Sequence, residues 1–179
     1  MTSDAHRRLL LQVAREAITA HVTQTKAPAV GDHPLSSRRG GAFVSIHKAG
    51  ELRGCIGHIE ADEGLVSVVA RCAVAAGSTD PRFPAVVRDE LPHLAIELSL
   101  LGAFEPIDGP ADIEVGRHGL FVEFGRRRGL LLPQVAVEWQ WDAVTFLTHT
   151  CRKAGLSADE WQNGASIWRF EAEVFSERH

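Results

Sequence analysis

Hydrophobic positions near the start of the chain recur at intervals of three and four residues, the spacing of one face of a helix. Ser3 or Asp4 stands before this repeat and can cap the N-terminus of the helix. We therefore expect the first helix to pack one apolar face against a core. The positions that form this face are Leu10, Val13, Ala14, Ala17, Ile18 and Val22.

A second helix is predicted to run from Asp62, which can act as its cap, to Gly77. Its sequence "LVSVVARCAVAA" is apolar nearly all round, which is typical of a helix buried against a sheet. A third helix, "WDAVTFLTHTCRKAGL", ends near Gly155, which suits a left-handed cap. Cys72 and Cys151 lie within these two helices, and we interpret both as packing residues.

Strands are predicted where hydrophobic and polar residues alternate. "GAFVSIH" and "ELRGCIGHI" flank a plausible turn at Lys48–Gly50, and "HGLFVEFGRRRGLLLP" contains a second turn near Gly125–Gly129. "HLAIELSLL" has the alternation of a half-buried strand. In the last strand, "SIWRFEAEVF", the residues expected to point inward are Trp168, Phe170, Ala172 and Val174.

These elements follow one another without the strict strand–helix–strand repetition of a doubly wound sheet, and hairpins join most of the strands. The sequence therefore predicts the α+β class, with a mixed, largely antiparallel sheet packed against helices. A chain of 179 residues fits one domain of ordinary size. We expect a single domain over residues 1–179, with two closely packed lobes as the alternative.

Composition and charge narrow the classes of function. The formal charge of −4 and the sequence pI near 6.1 disfavour a nucleic-acid-binding protein, which normally carries a basic surplus. No apolar run approaches the length of a membrane span, and the charged N-terminus does not have the pattern of a signal peptide. The widely spaced cysteines suit a reducing compartment. We expect a soluble, cytoplasmic protein with no nucleic-acid and no membrane partner.

The segment "LRGCIG" is the strongest candidate for chemistry. If it is a strand, its side chains alternate, and the guanidinium of Arg53 lies on the same face as the thiol of Cys55. A cation beside a thiol stabilises the thiolate, which would make Cys55 reactive. Gly54 and Gly57 could let a ligand approach the backbone closely. The alternative is a glycine-rich strand end in which Cys55 only fills space.

The sequence offers no motif for a metal or a cofactor. Nine histidines are present, but none forms an HxH or HxxxH pair, and no two cysteines have CxxC spacing. No glycine-rich phosphate-binding loop occurs. We therefore predict no metal and no cofactor, unless metal ligands converge from distant segments.

Six motifs make the chain similar to a known family. They are "LRGCIG", "DPRFP", "IELSLL", "HGLFV", "LLLPQVA" and "CRKAGL". On these motifs the chain resembles the AMMECR-one domain family, called AmmeMemoRadiSam system protein A in bacteria and archaea, from about Leu10 to Phe175. The resemblance implies a compact α+β domain with LRGCIG near a cleft. It also implies a functional link to two companions, a Memo-type protein and a radical S-adenosylmethionine (SAM) protein.

The resemblance also identifies candidate site residues. The catalytic candidates are Cys55, Arg53 and His118, with His118 as a general base. A carboxylate such as Glu97 would orient the guanidinium of Arg53 if the two paired across the sheet. Simpler interpretations are a local ion pair between Asp80 and Arg82 and an exposed turn at His118. The candidate ligand-binding residues are Gly54, Gly57, Asp80, Arg82, Glu97 and Gln134.

Two functions from different classes remain open at this point. The first is an accessory or binding component that acts with the Memo-type and radical SAM partners and binds an unknown small molecule or peptide at the LRGCIG cleft. The second is an enzyme that uses Cys55 as a nucleophile or redox thiol, activated by Arg53 and by His118 as a further candidate. The reactivity of Cys55 relative to the other thiols distinguishes the two.

Overall fold

The computed structural model describes residues 2–27, 29, 33–59 and 62–177. Its helices are α1 (Asp4–Thr23), α2 (Pro34–Ser37), α3 (Leu65–Ser78), α4 (Pro133–Glu138) and α5 (Ala143–Lys153). Its strands are β1 (Ala42–Lys48), β2 (Glu51–His58), β3 (Leu94–Leu101), β4 (Glu105–Pro106), β5 (His118–Phe124), β6 (Arg127–Leu131) and β7 (Ser166–Ser176). Helices packed with antiparallel strands confirm the predicted α+β class.

The chain divides into two compact units. Unit 1 comprises the chain up to Leu101 and the segment from Glu173 onward, and unit 2 comprises Gly102–Ala172. Strand β7 begins in unit 2 and ends in unit 1, because its range crosses the boundary at Glu173. Each unit has a hydrophobic core of its own.

In unit 1, α1 is the helix that the spacing of apolar residues predicts. Ser3 is its N-cap, and the hydroxyl of Ser3 accepts a hydrogen bond from the backbone N–H of His6 at 3.3 Å. The predicted apolar face is buried, which confirms that α1 packs on a core. The buried members of this face are Leu10, Val13, Ala14, Ala17 and Ile18.

The second predicted helix, α3, begins later in the chain than expected. Its N-cap is Gly64 rather than Asp62, so this part of the prediction is wrong. A side chain at Gly64 would collide with the backbone oxygen of Ser36, and the N–H of Leu65 donates to the carbonyl of Arg38 at 2.7 Å. The close approach of this neighbouring segment fixes the residue at which α3 starts.

The sheet of unit 1 has the strand order β2–β1–β3, with both pairings antiparallel. One face of it packs against α1 and α3. Gly54 in β2 lies against α3, where an added side chain would collide with the carbonyl of Ala76. The ring of Phe43 covers Gly57 in the same way. Both glycines therefore permit close packing inside the unit, and the space that each leaves is filled by the chain itself.

Unit 2 contains the hairpin of β5 and β6, the first part of β7 and the short β4. Within it, β7 pairs with β4 and with β5. The predicted hairpin is confirmed, but its turn is shorter than Gly125–Gly129, since β5 ends at Phe124 and β6 begins at Arg127. Gly125 has a φ of 61°, which a glycine adopts without strain in such a turn.

Strand β7 follows its predicted alternation only in part. Phe170 is buried, as predicted, but Trp168 is only half-buried, its neighbour Ile167 is the β7 residue in the core of unit 2, and Val174 is 43% exposed. In unit 1 it is Phe175 that packs against the core. Ile167 and Phe175 are in step with each other along the strand and out of step with the predicted residues, so the predicted choice of core-facing side chains is wrong at both ends of β7.

We propose that the full chain unfolds as one domain. Strand β7 supplies residues to both units, so loosening this strand removes packing from each of them. The expected result is a single calorimetric transition. Two well-separated transitions would show that the units are independent domains.

Candidate functional site

The LRGCIG segment forms β2, which stands at the outer edge in the strand order β2–β1–β3 of unit 1. An edge strand has backbone groups that point away from its neighbour and need other partners. The backbone of Cys55 has these partners in the side chains of Asp80 and Arg82. The N–H of Cys55 donates to Oδ2 of Asp80 at 2.9 Å, and Nη2 of Arg82 donates to the carbonyl oxygen of Cys55 at 3.3 Å. The two side chains therefore take the place of a pairing strand.

Asp80 and Arg82 form the local ion pair of the simpler interpretation. Oδ1 of Asp80 accepts from Nε of Arg82 at 3.0 Å and from its backbone N–H at 3.1 Å, and Oδ2 accepts from Nη2 at 2.7 Å. Asp80 is only 4% exposed, whereas Arg82 is exposed. The hydrogen bonds from Arg82 lower the pKa of Asp80 well below its usual range and outweigh the opposing effect of burial.

A β-bulge displaces Arg53 from the regular alternation of β2. Ile46 in β1 pairs with Gly54, but the next residue, His47, pairs with Leu52, so Arg53 is the extra residue between them. The expectation that Arg53 shares a face with the thiol assumed an unbroken strand. The bulge removes that basis for placing the guanidinium beside the thiol.

The guanidinium of Arg53 is bound to the loop between α3 and β3. Its Nε and Nη2 donate to the carboxylate of Glu90 at 3.1 and 2.9 Å, and its Nη1 donates to the carbonyl of Pro84 at 2.8 Å. Glu90 also accepts from Nζ of Lys48 at 2.9 Å. The carboxylate that orients Arg53 is therefore Glu90 rather than Glu97. No sequence motif marked Glu90.

Arg53, Cys55, Asp80, Arg82 and Glu90 together form what we call the Cys55 network. Its ion pairs depend on pH, because the hydrogen bonds from Arg53 lower the pKa of Glu90 to about 2, as those from Arg82 lower the pKa of Asp80. Both carboxylates have a lower pKa in the folded chain than in the unfolded chain, where it is about 4. The ionised forms therefore stabilise the fold above about pH 4, and this contribution is lost as the pH falls toward the folded pKa values.

The side chain of Cys55 lies in a row with Ser45 and Glu97. Cys55 in β2 pairs with Ser45 in β1, and Ser45 pairs with Glu97 in β3, so the three side chains share one face of the sheet. Gly54 contacts α3, so the neighbouring Cys55 faces away from the helices. The hydroxyl of Ser45 donates a hydrogen bond to Sγ of Cys55 at 3.2 Å. Sequence reasoning did not select Ser45, and the β1–β2 register is the information that identifies it.

The other two thiols are packing residues, as predicted. Cys72 in α3 and Cys151 in α5 have no exposed surface, whereas Cys55 is half-buried. Burial raises the pKa of Cys72 to about 11, and it raises the pKa of Cys151 as well. Cys55 is therefore the thiol that a reagent or partner can reach.

His118 and Gln134 belong to unit 2. His118 begins β5 and is only 6% exposed, so the exposed turn of the simpler interpretation is wrong. Its Nδ1 accepts a hydrogen bond from the backbone N–H of Glu114 at 3.0 Å. Burial, and then the charges of Arg169 and Arg117, lower the pKa of His118. Gln134 lies in the first turn of α4, and its buried Oε1 has no hydrogen-bond partner among the described residues.

The described residues include neither a metal-binding cluster nor a membrane-spanning helix. Over residues 2–27, 29, 33–59 and 62–177, no group of three or more His, Cys, Asp or Glu side chains is arranged to hold a metal ion. No helix in the same ranges is long and apolar enough to cross a membrane.

The chain is similar to known proteins over nearly its whole length. The AMMECR1 family model matches residues 11–175. A protein of Methanosarcina barkeri is 40% identical over 188 residues, which cover 99% of this chain and 93% of the relative. A protein of Methanothermobacter thermautotrophicus is 43% identical over 179 residues, which cover 95% of this chain and 93% of the relative.

A solved structure has the same fold. The crystal structure of an uncharacterized protein from Pyrococcus horikoshii matches with a TM-score of 0.89 and 38% identity, and the match covers 96% of this chain and 91% of that chain. The family match spans every residue of the Cys55 network, as well as His118 and Gln134. The resemblance inferred from the six motifs is confirmed, and the chain belongs to the AMMECR1 family.

Proposed function

We propose that this protein is a non-catalytic binding component of a small multi-protein system, and that the surface around Cys55 binds a partner protein. The proposed partners are a Memo-type protein and a radical SAM protein, which the motif resemblance implies. The observation that carries the proposal is the Cys55 network. It uses the side chains of Arg53, Asp80 and Arg82 to hold the edge of β2 and the loop between α3 and β3 in place.

A surface that the Cys55 network holds in place favours recognition of a partner protein. Binding a partner costs free energy whenever loops and side chains must first be ordered, and a surface that is already ordered avoids much of that cost. The Arg53–Glu90 pair is well shielded from solvent, because each side chain is only 13% exposed. Asp80, which accepts from the backbone of Cys55, is buried as well. The part-exposed Cys55 therefore stands on a rigid support.

A second candidate function is thiol chemistry at Cys55. One observation favours it: Cys55 is half-buried and receives a hydrogen bond from Ser45, while the other two thiols are fully buried. Arg53 would then activate the thiol, whereas His118 belongs to unit 2. The bond between Arg53 and Glu90 argues for a different role of this arginine, namely holding the loop.

Association with the proposed partners can be measured directly. The full chain is mixed with each companion protein from the same genome, and binding is measured by interferometry. We expect N-ethylmaleimide to modify Cys55, because Cys72 and Cys151 are buried, and the bulky adduct to weaken binding about tenfold, or about 1.4 kcal/mol.

A Cys55→Ala variant treated with the same reagent is the control and should bind like the unmodified chain. Binding that is unaffected by the adduct would contradict a partner surface at Cys55, and so would a lack of association with both companions. If Cys55→Ala binds normally but the combined system loses its activity, the thiol is catalytic, and partner binding alone does not explain the function of the protein.

Labelling rates of Cys55 distinguish two possible roles of Arg53. If Arg53 holds the loop, Arg53→Met and Glu90→Gln both loosen it, and both should raise the rate at which iodoacetamide labels Cys55 near neutral pH. If the charge of Arg53 activates the thiol, Arg53→Met should slow labelling while Glu90→Gln should not. We expect the first result, because Glu90 binds the guanidinium through both of its oxygens.

Mass spectrometry follows the labelling of each cysteine separately, and Arg126→Met at an exposed position is the matched control. Opposite effects of the two variants would contradict the holding role. If Cys55 is labelled no faster than Cys72, the assignment of Cys55 as the accessible thiol is wrong.

A further inference from the structure

A cleft of about 650 Å³ lies within unit 2, and His118 is part of its lining. The pairing of β5 with β7 places His118 opposite Glu171, which also lines this cleft. Ile113 and Ala111 supply apolar surface. The charged residues of the lining are Glu105, Asp112, Glu114, Arg117, Arg169 and Glu171.

His118 offers a hydrogen-bond donor to the cleft. Its side chain is nearly buried, and its Nδ1 accepts from the N–H of Glu114, so a neutral imidazole carries its proton on Nε2. Nε2 has no hydrogen-bond partner in the part of the chain that the structure describes. Four charged groups act on the ring: Arg169 and Arg117 lower its pKa, Glu114 and Glu171 raise it, and with burial the neutral form is favoured.

The two arginines of the cleft are already engaged. Arg117 donates through Nε to Oε1 of Glu171 at 2.8 Å and through Nη1 to Oε2 of Glu114 at 3.1 Å, and its Nη2 forms an ion pair with Oε1 of Glu171 at 2.7 Å. Arg169 donates through Nε and Nη2 to Oε2 of Glu105, at 3.0 and 2.9 Å, and through Nη1 to a backbone carbonyl at 2.6 Å. An anionic ligand would have to displace these bonds.

The carboxylates, in contrast, retain acceptor capacity. Each of the three glutamates uses one oxygen for an arginine, and the second oxygen has no partner among the described residues. Carboxylates also outnumber guanidiniums in the lining by four to two. A cleft of about 650 Å³ has room for an organic cation. The oxygens concerned are Oε1 of Glu105, Oε1 of Glu114 and Oε2 of Glu171.

We propose that this cleft binds a small organic cation that also carries a carbonyl group, as the amide or peptide of a basic amino acid does. The carbonyl oxygen accepts from Nε2–H of His118, and the cationic group binds to the free oxygens of Glu114 and Glu171. The aliphatic part of the ligand contacts Ile113 and Ala111. This site lies within unit 2 and does not depend on the function proposed for Cys55.

Four probes test the proposal by NMR titration of the full chain, with the backbone amides of unit 2 and the ring nitrogens of His118 as readouts. Nα-acetyl-L-argininamide has the cation and the carbonyl. Nα-acetyl-L-citrullinamide has the same shape without the charge, butylguanidinium has the charge without the carbonyl, and inorganic phosphate is an anion. We expect the argininamide to shift Nε2 of His118 and to bind about tenfold more tightly than the citrullinamide.

Two variants remove the proposed acceptors. Glu114 and Glu171 have side chains that are 63% and 61% exposed, so Glu114→Gln and Glu171→Gln should preserve the fold. Each is expected to weaken argininamide binding about threefold to tenfold. Glu138→Gln, at an exposed position on α4 outside the cleft lining, is the matched control and should have no effect.

Four outcomes would overturn the proposal. The first is that argininamide produces no shifts in unit 2, and the second is that citrullinamide binds equally well, which would exclude recognition of the charge. The third is that butylguanidinium binds as tightly as argininamide with the same shift at His118, which would exclude the role of the carbonyl. The fourth is that phosphate shifts the same resonances while argininamide does not, which would make this an anion site.

Discussion

The outward N–H of Cys55 belongs to an edge strand, and it needs an acceptor that no neighbouring strand provides. Asp80 is that acceptor, at 2.9 Å. A buried carboxylate is stable only when it is paired, and Arg82 pairs with Asp80 while also donating to the carbonyl of Cys55. This single requirement brings the loop after α3 against β2. Arg53 and Glu90 then attach the rest of the loop to the same strand.

The two units use their ionisable groups in different ways. In unit 1 the charges of the Cys55 network are directed at other parts of the chain, which makes the surface around the thiol rigid. In unit 2 the arginines of the cleft are held by glutamates, but within the described part of the chain each of these glutamates has one oxygen without a partner, and Nε2–H of the buried His118 is also without one. The first arrangement suits recognition of a partner by a fixed surface. The second suits a small ligand that has both a cationic group and a hydrogen-bond acceptor.

Sequence periodicity predicted the fold much better than the site. The first helix, the hairpins and the α+β class depend on which residues are apolar, and this is visible in the sequence. Asp80 could be identified as a candidate site residue from the sequence because it belongs to the DPRFP motif. Glu90 could not be identified from the sequence, because its contact with Arg53 depends on the bulge in β2 and on the path of the loop. Neither feature is visible in the alternation of hydrophobic and polar residues. The bond from Ser45 to Cys55 depends on strand register, which hydrophobic patterning alone did not specify.

Hydrogen exchange at the backbone amide of Cys55 tests most directly whether Asp80 holds the edge of β2. The rate is compared between the natural chain and Asp80→Ala at neutral pH, with the amide of Val44 in the buried strand β1 as a check on the fold. The account predicts slow exchange in the natural chain and exchange at least about tenfold faster in the variant, with Val44 unchanged. Equal rates at Cys55 in the two proteins would contradict the account.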